Sequence, residues 1–171
     1  MLHFRDLPSL SNDGLPIAEV GAWSEEKYRL IQHYASLFCR AMRSKWGSLV
    51  YLDIFAGPGY AKFKGTSRIV AASPMIALGL EDRFDRYIFC EAESTNAIAL
   101  EQRCARDHPE ARIHVVNDDA NMASRIRLRR SRDHERYFAF DYSAAAIWGS
   151  GRFAGRRLQA LPSIAAAVRP P

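Results

Sequence analysis

The residues of this chain with the clearest chemical potential are a glycine turn and four acids, each placed where an apolar run ends. Residues 49–55 (Leu-Val-Tyr-Leu-Asp-Ile-Phe) carry Asp53 and lead into Ala56-Gly57-Pro58-Gly59. Residues 86–90 end at Glu91, residues 112–116 lead to Asn117-Asp118-Asp119-Ala120, and residues 136–140 end at Asp141. Glycines let backbone N–H groups come close to a ligand with no Cβ in the way. A carboxylate closing the second run can accept both hydroxyls of a ribose, and one closing the third can accept an exocyclic amine such as adenine N6. Taken singly, each acid reads as a cap or a solvated side chain. Glycine turn, acid, acid at three successive strand ends points to a nucleoside cofactor, because open α/β sheets bind ligands beyond the carboxyl ends of their strands.

The spacing narrows the choice of nucleoside. No GxxxxGK[ST] phosphate loop is present. A dinucleotide site wants GxGxxG opening a helix with its acid about 20 residues on. Here Gly57-Pro58-Gly59 is followed by Tyr60-Ala61-Lys62, and Glu91 lies 34 positions past Gly57. S-adenosylmethionine has no phosphate to seat on a helix N-terminus and tolerates a longer loop before the helix. Asp53, Phe55, Ala56, Gly57, Gly59, Glu91, Asp119 and Ala120 are the candidate cofactor residues, and Asp141 is the candidate on the acceptor side.

The elements that must carry these residues follow from periodicity. Residues 1–22 are rich in turn formers and read as an irregular lead-in. Residues 24–44 place Tyr28, Ile31, Tyr34, Ala35, Phe38, Ala41 and Met42 at i, i+3, i+4 spacing behind a Ser24 cap, which predicts an amphipathic helix. The run at 49–55 reads as a strand buried on both faces. Residues 60–72 read as a basic loop, Ser73-Pro74 as a helix start, and residues 95–106 as a helix burying Ile98, Leu100 and Ala105. Strands at 86–91, 112–116 and 136–140 complete an alternation that yields a parallel sheet with right-handed crossovers. The predicted fold class is α/β, a Rossmann-like parallel sheet of the class I methyltransferase type, incomplete at about four strands.

At the same residues the chain resembles the three-Cys-motif partner (TcmP) family, bacterial proteins with a methyltransferase-like fold. The likeness spans residues 20–141. It is carried by Trp23-Ser24-Glu25-Glu26-Lys27, by residues 52–59 (Leu-Asp-Ile-Phe-Ala-Gly-Pro-Gly), by residues 72–78 and 84–91, and by Asp119-Ala120-Asn121. The resemblance implies an S-adenosylmethionine fold and a functional partner bearing a three-cysteine motif. It implies that Asp53, Gly57 and Gly59 line the methionine end of the cofactor, with Glu91 at the ribose and Asp119 by the adenine. The chain departs from the family in two places. Asp118 stands where a glycine is common, and Phe140-Asp141 continues as Tyr142-Ser143-Ala144 where the family has an Asp-Pro-Tyr/Phe-Gly-like turn.

Composition bounds the remaining possibilities. No apolar run reaches 18 residues, which predicts no membrane span. Cys39, Cys90 and Cys104 are odd in number with no CxxC pair, suiting reduced, buried thiols and a cytoplasmic protein better than disulfides or zinc. The net charge of +5 is uneven: residues 1–120 hold 14 Lys and Arg against 16 Asp and Glu, whereas residues 121–171 hold 10 Arg against 3 acids. A nucleic-acid contact through Arg125, Arg127, Arg129, Arg130 and Arg132 is an alternative function, although no aromatics interleave them as a stacking platform needs. Residues 142–171, without Asp, Glu or Lys and with two Ala triplets, read as a low-complexity basic tail. Its composition suits out-of-frame translation of a GC-rich gene, so the expected organisation is a lead-in (1–22), a partial and truncated methyltransferase-like domain (23–141) and this tail. A domain so shortened is expected to have weak activity or none, which leaves a non-catalytic partner or binding module as a further alternative.

Overall fold

The computed structural model describes residues 7–119 and 135–139. Ala120, Asp141, the arginines at 125–132 and the tail at 142–171 lie outside them. The described elements run β1 (Ala18–Val20), α1 (Ser24–Met42), β2 (Ser48–Asp53), β3 (Tyr60–Phe63), β4 (Ile69–Ala71), α2 (Ser73–Leu78), β5 (Arg86–Glu91), α3 (Ser94–Asp107), β6 (Ile113–Asn117) and β7 (Glu135–Ala139).

Four of these strands make a wholly parallel sheet in the order β6-β5-β2-β7. β2 is central, and five of its six residues are apolar or aromatic or the fully buried Asp53, as a strand covered on both faces requires. The chain runs outward from β2 through β5 to β6 and then returns to β2's other side with β7, so the order reverses beside β2. Crevices form at the carboxyl ends next to such a reversal. Asp53, Glu91 and Asn117 close β2, β5 and β6, and the parallel register pairs Glu91 with Asn117 at that end.

A second, three-stranded sheet was not anticipated. β1 pairs in parallel with β3, β3 pairs antiparallel with β4, and Leu10 bridges to Ile69. It draws one strand from the stretch expected to be an irregular lead-in and two from the stretch expected to be a basic loop. Strands of three and four residues interrupted by Lys62 carry too little period-2 signal to stand out. The hairpin β3–β4 turns at Gly65 (φ 75°) and is pinned at its base by the Ala72 N–H donating to the Gly59 carbonyl at 2.8 Å. It is this hairpin that separates the glycine turn from α2.

The helices differ from expectation at their caps and faces. Ser24 and Ser73 are the first residues inside their helices; the caps are Trp23 and Ala72, neither of which makes a side-chain cap bond. Both serines are buried. α1 buries Tyr28, Ile31, Ala35 and Cys39, whereas Tyr34 and Ala41 face outward. α3 buries Ala97, Ala99, Leu100, Arg103 and Cys104, while Ile98 is 53% exposed and Ala105 is exposed. One arginine thus lies on the apolar stripe of α3. The core joins Tyr51, Phe84, Tyr87 and Phe89, with edge-to-face and tilted ring pairs at centroid separations of 5.3–6.2 Å. No helix among the described residues is long and apolar enough to cross a membrane.

Candidate functional site

The carboxyl ends of β2, β5 and β6 enclose a cleft of about 250 Å³ lined by Ile54, Phe55, Cys90, Glu91, Ala92 and Asp119. Phe55, Glu91 and Asp119, three of the residues singled out from the sequence, therefore share one hollow. Among its described lining there is no Lys or Arg, while two carboxylates border it.

Glu91 is the best-held of these groups. Its Oε2 accepts the Gly57 N–H at 2.8 Å and its Oε1 accepts the Glu93 N–H at 2.9 Å. Each carboxylate oxygen keeps a second lone pair for another donor. The backbone beneath it is fixed by Asn117, whose Nδ2 donates to the carbonyls of Glu91 (2.9 Å) and Ala92 (3.1 Å) and whose Oδ1 accepts from Ser94 Oγ at 2.8 Å. Asn117 thus links the end of β6 to the end of β5. Cys90 Sγ donates to the Asp118 carbonyl at 3.3 Å, a second tie between those ends. Asp119 is exposed at the rim, and its N–H donates to Asp118 Oδ1 at 2.8 Å.

The two glycines serve different ends. Gly57 needs its positive φ of 64°, and space beyond its Cα is open; its N–H goes to Glu91 and so positions the acid. Gly59, at φ 90°, has its Cα packed inward: a Cβ there would lie 3.0 Å from Leu100 Cδ1 and 3.3 Å from Met75 Cγ. It lets α2 and α3 close on the turn. Ala56 is buried and its N–H donates to the Cys90 carbonyl at 3.0 Å, stitching the turn to β5. Asp53 is fully buried; its Oδ1 accepts the Phe55 N–H at 3.1 Å and leaves that ring 47% exposed at the cleft. Asp53 supports the wall of the cleft and has no surface of its own there.

Arg103 is the residue holding the glycine turn from behind that sequence reasoning missed. With no exposed surface, it donates to Asp13 Oδ2 (2.9 Å) and Oδ1 (2.6 Å), to the carbonyls of Pro16 (2.8 Å) and Leu15 (3.4 Å), and to the Pro58 carbonyl within the glycine turn (2.6 Å). Its guanidinium stands 4.1 Å from the Tyr60 ring centroid. The hydrogen bond from Arg103 holds the Asp13 carboxyl well below the usual carboxylate range, with Arg106 assisting. A buried charge needs this degree of pairing. The signal was present in the sequence: a cation three residues after Leu100 and next to Cys104, on an apolar face.

Lys62 lies in β3 and pairs with Glu19 of β1 at 3.0 Å beside a separate hollow of about 300 Å³ on the accessory sheet. Among the described residues no three His, Cys, Asp or Glu side chains gather as a metal-ligand set.

No family model matches the chain, and neither does any curated protein. Among solved structures it is similar to a Legionella pneumophila str. Philadelphia 1 protein of the family DUF519, at 15% identity and a TM-score of 0.45. The match covers 57% of this chain and 50% of that one, so the chain spans about half of that protein's length.

Proposed function

We propose that the cleft binds S-adenosylmethionine and that the chain is a methyltransferase-like protein of the three-Cys-motif partner type. The observation that carries this reading is Glu91: a carboxylate at the carboxyl end of β5, braced by the Gly57 and Glu93 N–H groups, with lone pairs left to accept ribose hydroxyls. Three features support it. The cleft stands beside the reversal of strand order, where nucleoside ligands are received. Its described lining is acidic with no cation, which disfavours the phosphates of a nucleotide and favours a sulfonium nucleoside. Phe55 and Ile54 offer apolar surface for a purine, with Asp119 at the rim as acceptor for an exocyclic amine.

When bound, S-adenosylmethionine supplies an electrophilic methyl group. The protein's part is then to hold the donor in line with its acceptor and to exclude water, since such a transfer needs positioning more than proton handling. Asp141, the acceptor-side candidate, lies outside the described residues. The alternative is a module that binds the nucleoside without turnover.

Calorimetry with S-adenosylmethionine and S-adenosylhomocysteine tests binding. Glu91→Ala is expected to weaken both by roughly tenfold or more, the worth of hydrogen bonds to a charged acceptor. No binding by the unaltered chain sinks the proposal. Transfer of a labelled methyl to a co-purified protein or nucleic acid separates enzyme from binding module.

A further inference from the structure

The core takes up only part of the apolar surface of α1. Positions 23, 27, 30, 34, 37 and 41 advance by alternating steps of four and three, the spacing that keeps side chains on one line down a helix. They carry Trp23, Lys27, Leu30, Tyr34, Leu37 and Ala41. Trp23 has helical backbone angles (φ −60°, ψ −21°), so it begins the line one residue before the helix itself. Trp23, Tyr34 and Leu37 are 64%, 51% and 47% exposed, Ala41 is exposed and Leu30 is half-buried. This line runs about a third of a turn around α1 from the buried line of Ser24, Tyr28, Ile31, Ala35 and Cys39. Exposed apolar residues scattered singly need no explanation, but a line of them at this spacing is the seam of a helix pair.

The charges beside the line select its occupant. Glu26 and Arg40 each stand one position before a member of the line, so they flank it on the same side, two heptads apart. Glu26 is exposed and makes no ion pair among the described residues, whereas its neighbour Glu25 pairs with Arg29 and Arg68. Arg40 meets Asp82 through Nε alone at 2.5 Å, and its side chain is 64% exposed, which leaves its terminal amino groups for another acceptor. An anion at one end of a flank and a cation at the other are both matched by the same helix running the opposite way. We propose that α1 pairs antiparallel with α1 of a second copy of this chain about a two-fold axis. In that register Trp23 meets the partner's Ala41, Lys27 the partner's Leu37, Leu30 the partner's Tyr34, and Glu26 the partner's Arg40. Two-fold symmetry makes each of these contacts twice. The largest side chain of the line falls opposite the smallest, so the two helices can keep an even separation along the seam.

A helix of 19 residues gives a seam about 28 Å long, short of a standard-size interface, so dissociation in the micromolar range is expected. Sedimentation equilibrium on the full chain from about 5 to 200 μM is expected to show a monomer–dimer equilibrium across that range. Leu37→Asp, which puts a charge into the seam, is expected to raise the dissociation constant by roughly tenfold or more. Glu26→Lys and Arg40→Glu are each expected to raise it by roughly three- to tenfold, and the double exchange to restore it to within about threefold of the unaltered chain. All three side chains are largely exposed, so urea midpoints of the variants are expected to stay close to that of the unaltered chain, which separates loss of pairing from loss of fold. A chain that stays monomeric throughout the range overturns the proposal and leaves the line to a different protein. A dimer untouched by Leu37→Asp, or a double exchange as weak as the single ones, overturns it as well.

Discussion

Arg103→Met removes the cation that joins three parts of the chain. The methionine fills much of the aliphatic space but leaves the Asp13 carboxylate short of its main partner and the Pro16 and Pro58 carbonyls short of a donor. Hydrogen bonds to charged groups contribute about 1.5–3 kcal/mol each, but those here share one guanidinium and do not add. Breaking a buried ion pair by deleting one partner costs about 3–5 kcal/mol. That is a large part of the ~5–15 kcal/mol holding a domain together. At roughly 3–5 °C per kcal/mol for a chain of this size, Tm is expected to fall by roughly 10–20 °C. Urea unfolding followed by far-UV circular dichroism gives the free energy, and a thermal scan gives Tm. Deleting both partners, Arg103→Met with Asp13→Ala, is expected to cost less than the two single changes together, with a coupling of roughly 1.5–3 kcal/mol. A single Arg103→Met variant within about 1 kcal/mol of the unaltered protein, or additive costs in the double variant, would refute the reasoning.

Acid should weaken the fold through the same network. Hydrogen bonds from Arg103 to Asp13 and from Arg106 to Asp107 hold both carboxyls below their usual range, so the unfolded chain takes up protons first as pH falls. Their contribution is complete above about pH 5 and is lost progressively as pH drops through about 4 and below. Urea midpoints measured from pH 7 to pH 3 should show this fall, and Asp13→Asn should flatten it; an unchanged slope in that variant rules out Asp13 as a source. Gly59→Ala combines a positive φ with a Cβ 3.0 Å from Leu100, whereas Gly57→Ala meets only the backbone strain. The first is expected to destabilise by roughly 2–3 kcal/mol and the second by about 1, and equal costs in urea melts would contradict the inward packing of Gly59. Burial pushes the Cys39 and Cys104 thiols up to about 12 and raises Cys90 as well. All three should resist Ellman's reagent in buffer and react promptly in denaturant; fast reaction of any one in buffer would show that its burial is wrong.

Much of the parallel sheet was legible from the residues. The β5 boundaries match the run at 86–91, and the central strand, the glycine turn and the acids Asp53 and Glu91 fall where short apolar runs give way to polar residues, whereas Asp119 lies two positions past the end of β6. A strand buried on both faces must be nearly all apolar, and that leaves a mark any reader of the chain can see. The α3 face was misread because Ile98 is large and apolar yet outward, while Arg103 is charged yet inward. Hydrophobicity alone ranks those two the wrong way round when a partner waits in the fold. The accessory sheet escaped notice because its partners lie far apart in sequence, with Ala18 against Ala61 and Leu10 against Ile69.

The chain by itself determined where its strands and helices alternate and which residue types stand at the strand ends, because dihedral preference and burial periodicity act over a few neighbouring residues. Tertiary structure decided what those residues do. Gly57 turned out to brace Glu91 from 34 positions away, Gly59 to admit Leu100, and Arg103 to tie Asp13, 90 positions upstream, to the glycine turn. Such roles come from which groups meet in space and from the cost of leaving a buried charge or carbonyl unpaired, and neither is a property of any short stretch of sequence.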